Sequence, residues 1–190
     1  FKPATKQRLF REVVARFSSE VDAQPGDVMT WALPEASIKG DRLHAPACDD
    51  LAGAAAALAA FDALSKKKRG GKRFSGDVRL LLTRAEEIGF IGAMAACRSG
   101  ILPKDARIIA LENSKSFAES PIGGGPIVRV GDKTSVFDRD LTFAIERVAE
   151  RLAKRGKGMA WQRRLMPGGT SEATAFQTCG YRATCLCLPL

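Results

Sequence analysis

From Asp49 to the end of the chain, helix-like and strand-like runs alternate, and few folds accept that order. Alternation of this kind is the mark of a parallel or mixed β-sheet with helices packed on its faces. Asp49 or Asp50 can cap a helix running to about Leu64, whose alanines permit close packing on a sheet. Strands are expected at Val78–Thr83, Arg107–Leu111, Met159–Arg163 and Ala183–Leu188, with a short edge strand at Val128–Val130. Helices are expected at Ile91–Arg98, at Asp140–Lys154 with Leu141, Ala144, Ile145, Val148 and Leu152 on one face, and at Thr170–Thr178. The three consecutive glycines in Pro121–Pro126 require a loop.

Before Asp49 the pattern is different. Leu9, Phe10, Val13, Val14 and Phe17 have the spacing of one helical face, which predicts an amphipathic helix over Lys6–Val21. PGDVMTW and the turn-like Lys39-Gly40-Asp41 then read as short strands and turns ending near His44. The boundary falls near Leu43–Ala47, separating residues 1–45 from an α/β domain over residues 46–190.

Composition narrows the function classes. With 45% hydrophobic residues over 190 positions the chain can bury a core, and no apolar run is long enough to cross a membrane. The first ten residues, FKPATKQRLF, lack the apolar core of a secretory signal. Five cysteines without a CxxC pair fit neither a disulfide framework nor a zinc ribbon, so a reducing cytoplasm is the simplest setting. Cys185 and Cys187 alternate in an apolar run and read as small buried hydrophobes on one side of a strand. The net charge of +9 is densest at Lys66–Arg73, but that stretch is Gly-rich with one nearby aromatic. It describes a solvated loop better than a base-stacking platform, and nucleic acid is not expected as a partner.

In α/β sheets ligands bind outside the carboxyl ends of strands. Four such places are acidic or Gly-rich: Cys48-Asp49-Asp50, Glu86-Glu87 after LLLT, Glu112-Asn113-Ser114 after IIAL, and Gly168-Gly169-Thr170-Ser171-Glu172. Singly, each has a plain structural use as a cap, a dipole partner or a turn. Together, carboxylates converging on one sheet edge repel each other unless protons or cations neutralise them. Divalent metal is the natural counter-charge. Adjacent carboxylates also suit hydrolysis, because one can ligate metal while its neighbour takes a proton from water.

These residues, in the order PGD…CDDLAG…TRAEEIGFIGA…ALENS…GGGP…MPGGTSEATAF…GYRATCLCLP, resemble the cytosolic two-metal aminopeptidases of the glutamyl aminopeptidase/endoglucanase-like group, over roughly Gly26 to Leu190. The resemblance implies a three-layer α/β/α, zinc-exopeptidase-like (phosphorylase/hydrolase-like) domain with a mixed, mostly parallel sheet. Residues 1–45 would then be the end of an inserted β-rich lid and the return linker. It implies two divalent ions, zinc or cobalt ahead of manganese or magnesium. Asp49 would bridge them, Glu87 and Glu112 would be further metal ligands, Glu86 the general base and Asp50 a support joined to Asp49 by a cis peptide. Gly168, Gly169 and Thr170 would border the substrate, a short peptide hydrolysed at its N-terminal residue, in a cytoplasmic homo-oligomer.

The pattern also departs from the family's. Glu112 stands where Asp is commoner, and GGTSEA replaces GGTDA, leaving Ser171 and Glu172 unassigned. The family's two histidine ligands come from an upstream strand and from just after the last strand, and His44, the only histidine, matches neither. The chain taken alone therefore holds an acidic half-site. Two other readings fit the same residues: a metal-dependent deacylase of small amides, and a catalytically incomplete scaffold or interaction module.

Overall fold

The computed structural model describes residues 14–28, 30, 32–66, 68–69, 72–73, 76–155 and 159–190. They divide into two units, one ending at Pro34 and the other running from Glu35 to Leu190. In the first unit the PGD motif forms a turn, with the Asp27 N–H donating to the Gln24 carbonyl at 3.1 Å. The first half of the Lys6–Val21 helix lies outside the described residues, and residues 14–21 are not helical. Of the expected apolar stripe, the described Val14 is 81% exposed and Phe17 52%. Helical propensity alone does not hold so short a segment.

The second unit opens with a hairpin, β1 (Ser37–Lys39) and β2 (Arg42–His44), turned at Gly40. Helix α1 (Cys48–Lys66) follows, although Asp49 and Asp50 are not in helical conformation and the regular helix begins after them. Only Gly53 of α1 is buried, and Leu51, Leu58 and Phe61 remain exposed. The basic stretch contributes two two-residue strands, β3 (Lys68–Arg69) and β4 (Lys72–Arg73), paired antiparallel where a loop was expected. After helix α2 (Ile91–Ser99) come strands β5 (Arg107–Ser114) and β6 (Ile127–Gly131), helix α3 (Arg139–Lys154), strand β7 (Gln162–Leu165), helix α4 (Glu172–Thr178) and strand β8 (Arg182–Pro189).

The main sheet has the order β5-β8-β6-β7, with β5/β8 and β6/β7 parallel and β6/β8 antiparallel. Strand alternation sorts its two faces. Ala110, Ala183, Cys185, Cys187 and Ile127 pack with Ala93 and Ala96 of α2 and with Ala173, Ala175 and Phe176 of α4. On the other face, Thr184 shares a hydrogen bond of 2.7 Å with Thr142 of α3, and Asn113 reaches the Cys48 carbonyl at the start of α1. The result is three layers, α2 and α4 against one face and α1 and α3 against the other. The α/β class and the mixed, mostly parallel sheet are as the sequence predicts.

Three elements differ from expectation. Val78–Thr83 joins no ladder, because no described strand lies alongside it; it is anchored by Arg79, which donates to the Ile101 carbonyl, and by Leu81, which packs on the core. Strand β6 is internal instead of at an edge, consistent with the near-complete burial of Ile127 and Val128. The expected Met159–Arg163 strand is displaced to Gln162–Leu165, because the Gln162 N–H must meet the Pro126 carbonyl, at 2.9 Å, to enter register with β6. The buried stripe of α3 is also rotated, running through Leu141, Thr142 and Ala149 and leaving Val148 and Leu152 exposed.

The triple-glycine loop is locked onto β7, with Gln162 Nε2 donating to the Gly125 carbonyl at 2.9 Å and to the Pro121 carbonyl at 3.2 Å. Gly125 has φ +83°, and a Cβ there would overlap the Ala160 carbonyl. Gly123 has φ +89° but faces open space. Gly123→Ala should therefore cost about 1–2 kcal/mol from backbone strain alone. Gly125→Ala should cost more, read as a clearly larger fall in Tm; equal falls for the two variants would contradict this packing.

Candidate functional site: a cluster of carboxyl groups

Each acidic motif is fixed by its own local geometry. Three non-glycine residues among those described have left-handed backbones, Ala47, Ala85 and Phe90. All three flank candidate acids: Ala47 precedes Cys48-Asp49-Asp50, while Ala85 and Phe90 bracket Glu86-Glu87. Such conformations cost about 1–2 kcal/mol each and persist where surrounding structure over-determines them. The Asp49-Asp50 peptide is cis.

Asp50 is the cap of α1, accepting from the Gly53 N–H. Gly53 is required there, because a Cβ would overlap the Asp50 carboxylate. Asn113 Nδ2 donates both to Asp50 Oδ1 at 2.6 Å and to the Cys48 carbonyl at 2.7 Å, joining β5 to the start of α1. Glu86 and Glu87 sit in a tight turn where the Gly89 and Phe90 N–H groups donate to the Glu86 carbonyl. Glu86 is half-buried and Glu87 exposed, which suits a protected base beside an accessible ligand.

Glu112 lies on the α4 face of β5, opposite Cys187, and its Oε1 accepts from the Glu172 N–H at 3.0 Å. The Glu172 side chain turns the other way and accepts from the Thr83 hydroxyl at 2.7 Å. Glu172 thus joins the cluster, and its only sequence signal was the extra acidic residue in GGTSEA. A residue missed from sequence is Asp132, whose buried carboxylate accepts from the Ser171, Thr134 and Ser135 N–H groups and from the Thr174 hydroxyl. It ties the Gly168–Thr170 loop to the 132–135 turn, aided by the Lys133 N–H donating to the Gly169 carbonyl at 2.9 Å. No spacing rule announces such a hub.

The electrostatics register how close the acids are. Asp50 is pushed up to about 6, chiefly by burial and then by Asp49. Burial raises Glu86, reinforced by Glu87, Glu172, Asp49 and Asp50. Glu112 is pushed up to about 8 by burial, with Cys187 and Glu86 adding to the rise. Glu172 is raised by burial, against the Thr83 hydrogen bond. Groups from four chain segments therefore disfavour one another's ionisation, and oxygen donors of this kind suit a divalent cation.

Among the described residues, the one group whose potential ligand atoms all lie within 4.8 Å of each other is Glu112, Cys185 and Cys187. That group is already served: Cys185 and Cys187 sulfurs are 3.3 Å apart, and Arg129 Nε donates to Cys187 Sγ at 3.0 Å. A cation would face the Arg129 guanidinium. The two cysteines are buried as expected, yet Cys187 is a hydrogen-bond acceptor and not merely a small hydrophobe. Asp49, Asp50, Glu86, Glu87, Glu112 and Glu172 fit a cation by charge and donor type, although no three of them have ligand atoms within 4.8 Å of one another. His44 is exposed on β2.

Asp50 and Glu112 keep protons in the folded chain, up to about 6 and about 8, that they release when unfolded. Folding therefore takes up protons between roughly pH 4 and pH 8, and stability should fall as pH rises through that window. Thermal unfolding in chelator should show this decline, Asp50→Asn and Glu112→Gln should flatten it, and added divalent cation should oppose it at the alkaline end. Identical pH slopes for wild type and both variants would contradict the assignment.

Comparison with known proteins supports the same fold. The profile of the M42 glutamyl aminopeptidase family matches residues 7–190. No curated protein sequence matches the chain. The structure of PhTET1-12s, a dodecamer in its asymmetric unit, is similar over 82% of this chain and 45% of its own, with 24% identity and a TM-score of 0.66. Aminopeptidase APDkam598 from the archaeon Desulfurococcus kamchatkensis is similar over 82% of this chain and 43% of its own, with 23% identity and a TM-score of 0.68. The chain spans less than half the length of either. No helix among the described residues is long and apolar enough to cross a membrane. By the match of the family profile across nearly its whole length, this chain belongs to the M42 glutamyl aminopeptidase family.

Proposed function

We propose that this chain supplies the acidic part of the active site of a metal-dependent aminopeptidase that removes N-terminal residues from short peptides. The observation that carries this reading is the convergence of carboxyl groups from four segments, whose affinity for protons is raised by burial and further by their acidic neighbours. Asp49, Glu87 and Glu112 are the residues that would hold two divalent cations, zinc or cobalt ahead of manganese or magnesium. When bound, such cations polarise the scissile carbonyl and make a water more acidic.

The remaining work falls to side chains and backbone. Glu86 is half-buried and kept basic by its acidic neighbours, so it can take a proton from the attacking water and pass it to the leaving amine. Asp50, held by Asn113 and the Gly53 N–H, fixes the start of α1 and with it the direction of Asp49. The Gly168–Thr170 loop, tied down through Asp132, offers backbone groups along the substrate. We further propose a cytoplasmic setting and a homo-oligomeric assembly, by analogy with the dodecamer of PhTET1-12s.

In the full-length protein loaded with cobalt or zinc, Glu86→Gln should lower kcat on aminoacyl substrates by about 10²- to 10⁴-fold, with little change in KM. Retention of full activity by that variant, or no release of amino acids by the wild type from any aminoacyl substrate, would overturn the assignment.

A further inference from the structure

Away from the acidic cluster, two helices bring three sulfur atoms together. Met94 and Cys97 are three residues apart on α2, so their side chains leave the same face of that helix. Beside them Ala93 and Ala96 are buried in the cluster that holds Ala173, Ala175 and Phe176, and these small residues let α2 lie close on α4. Cys179 follows the last residue of α4, and its N–H donates to the Ala175 and Phe176 carbonyls, so the helix end fixes its backbone. From there its Sγ reaches α2 and stands 3.8 Å from Met94 Sδ. Burial, and then contact with the Cys179 thiol, raises the Cys97 thiol, so all three sulfurs are neighbours.

Two thiols and a thioether make a soft donor set, and a thioether among them favours copper(I) over harder divalent ions. Three sulfurs each about 2.3 Å from one ion, the length of a zinc–thiolate bond, stand about 3.8–4.0 Å apart at tetrahedral or trigonal angles. The Cys179–Met94 separation already matches that edge. All three residues are half-buried, so an ion can reach them, whereas Cys185 and Cys187 are sealed in the core and face Arg129. Two thiolates around one monovalent cation leave a single negative charge. The exposed Arg98, next to Cys97, acts against it.

We propose that Met94, Cys97 and Cys179 form a binding site for copper(I) that joins α2 to the end of α4. Binding makes three metal–sulfur bonds and releases the two thiol protons to solvent, with no change in oxidation state. Glu172 begins α4 and Cys179 follows its end, about 10 Å away along the axis. The site therefore stands apart from the acidic cluster, and either reading can fail without the other.

Anoxic titration of the reduced full chain with copper(I), against a chromophoric copper(I) chelator, tests this, with circular dichroism to confirm that each variant is folded. Wild type should take up a single equivalent saturably, and its Tm should rise with the ion bound. Cys97→Ser and Cys179→Ser should each weaken binding by about tenfold or more and abolish the rise in Tm. Met94→Leu keeps the side-chain volume and removes the thioether, and should weaken binding by severalfold. The proposal is overturned by no saturable uptake in wild type, or by uptake that survives both cysteine substitutions, as it would at the Cys185–Cys187 pair. Indifference to Met94→Leu, or formation of a Cys97–Cys179 disulfide with no copper(I) retained, would equally overturn it.

Discussion

Carboxyl groups that repel each other are held together here by neutral donors. Asn113 holds Asp50, the Glu172 N–H holds Glu112, and the Thr83 hydroxyl holds Glu172. None of these bonds cancels charge, and burial, with the repulsion between neighbouring acids added to it, raises proton affinity across the cluster. Hydrogen bonds to ionised groups contribute about 1.5–3 kcal/mol, enough to orient a carboxylate but not to neutralise it. The backbone bears part of the cost as well, in the left-handed residues that flank both acidic pairs.

The sheet makes this crowding possible. Because β5 and β8 are parallel and in register, Glu112 and Cys187 lie side by side, and α4 delivers its first N–H groups to the same spot. The buried Asp132 then fixes where α4 begins. One face of the sheet thus carries the acids toward α4 and also the buried Arg129, while the opposite face, through Asn113, grips the start of α1.

Much of this architecture was legible beforehand. The Ile91–Arg98 and Asp140–Lys154 helices and the Arg107–Leu111 and Ala183–Leu188 strands were visible because apolar periodicity marks element type, although on α3 it did not give the buried stripe. Sequence pattern failed where tertiary pairing decides. Val78–Thr83 has a strand's composition but no described strand pairs with it, and Lys6–Val21 has a helix's spacing although the apolar residues of its described part are exposed. In the site, Asp49, Asp50, Glu86, Glu87 and Glu112 were marked by adjacency and position after strands. Glu172 was marked by position but without a role, and Asp132 and Arg129 were not marked, because their roles arise from hydrogen bonds between segments 39 to 89 residues apart.

The central claim, that the acidic cluster is built for a cation, is tested most directly by calorimetric titration of the chelator-treated protein with zinc, cobalt or manganese. The titration is run near neutral pH in two buffers of different ionisation enthalpy. The account predicts saturable binding with net release of protons, since Glu112, pushed up to about 8, must give up its proton to a cation. It also predicts that Asp49→Asn or Glu87→Gln removes both the binding and the proton release. Absence of cation binding, or binding that releases no protons and is indifferent to those substitutions, would contradict it.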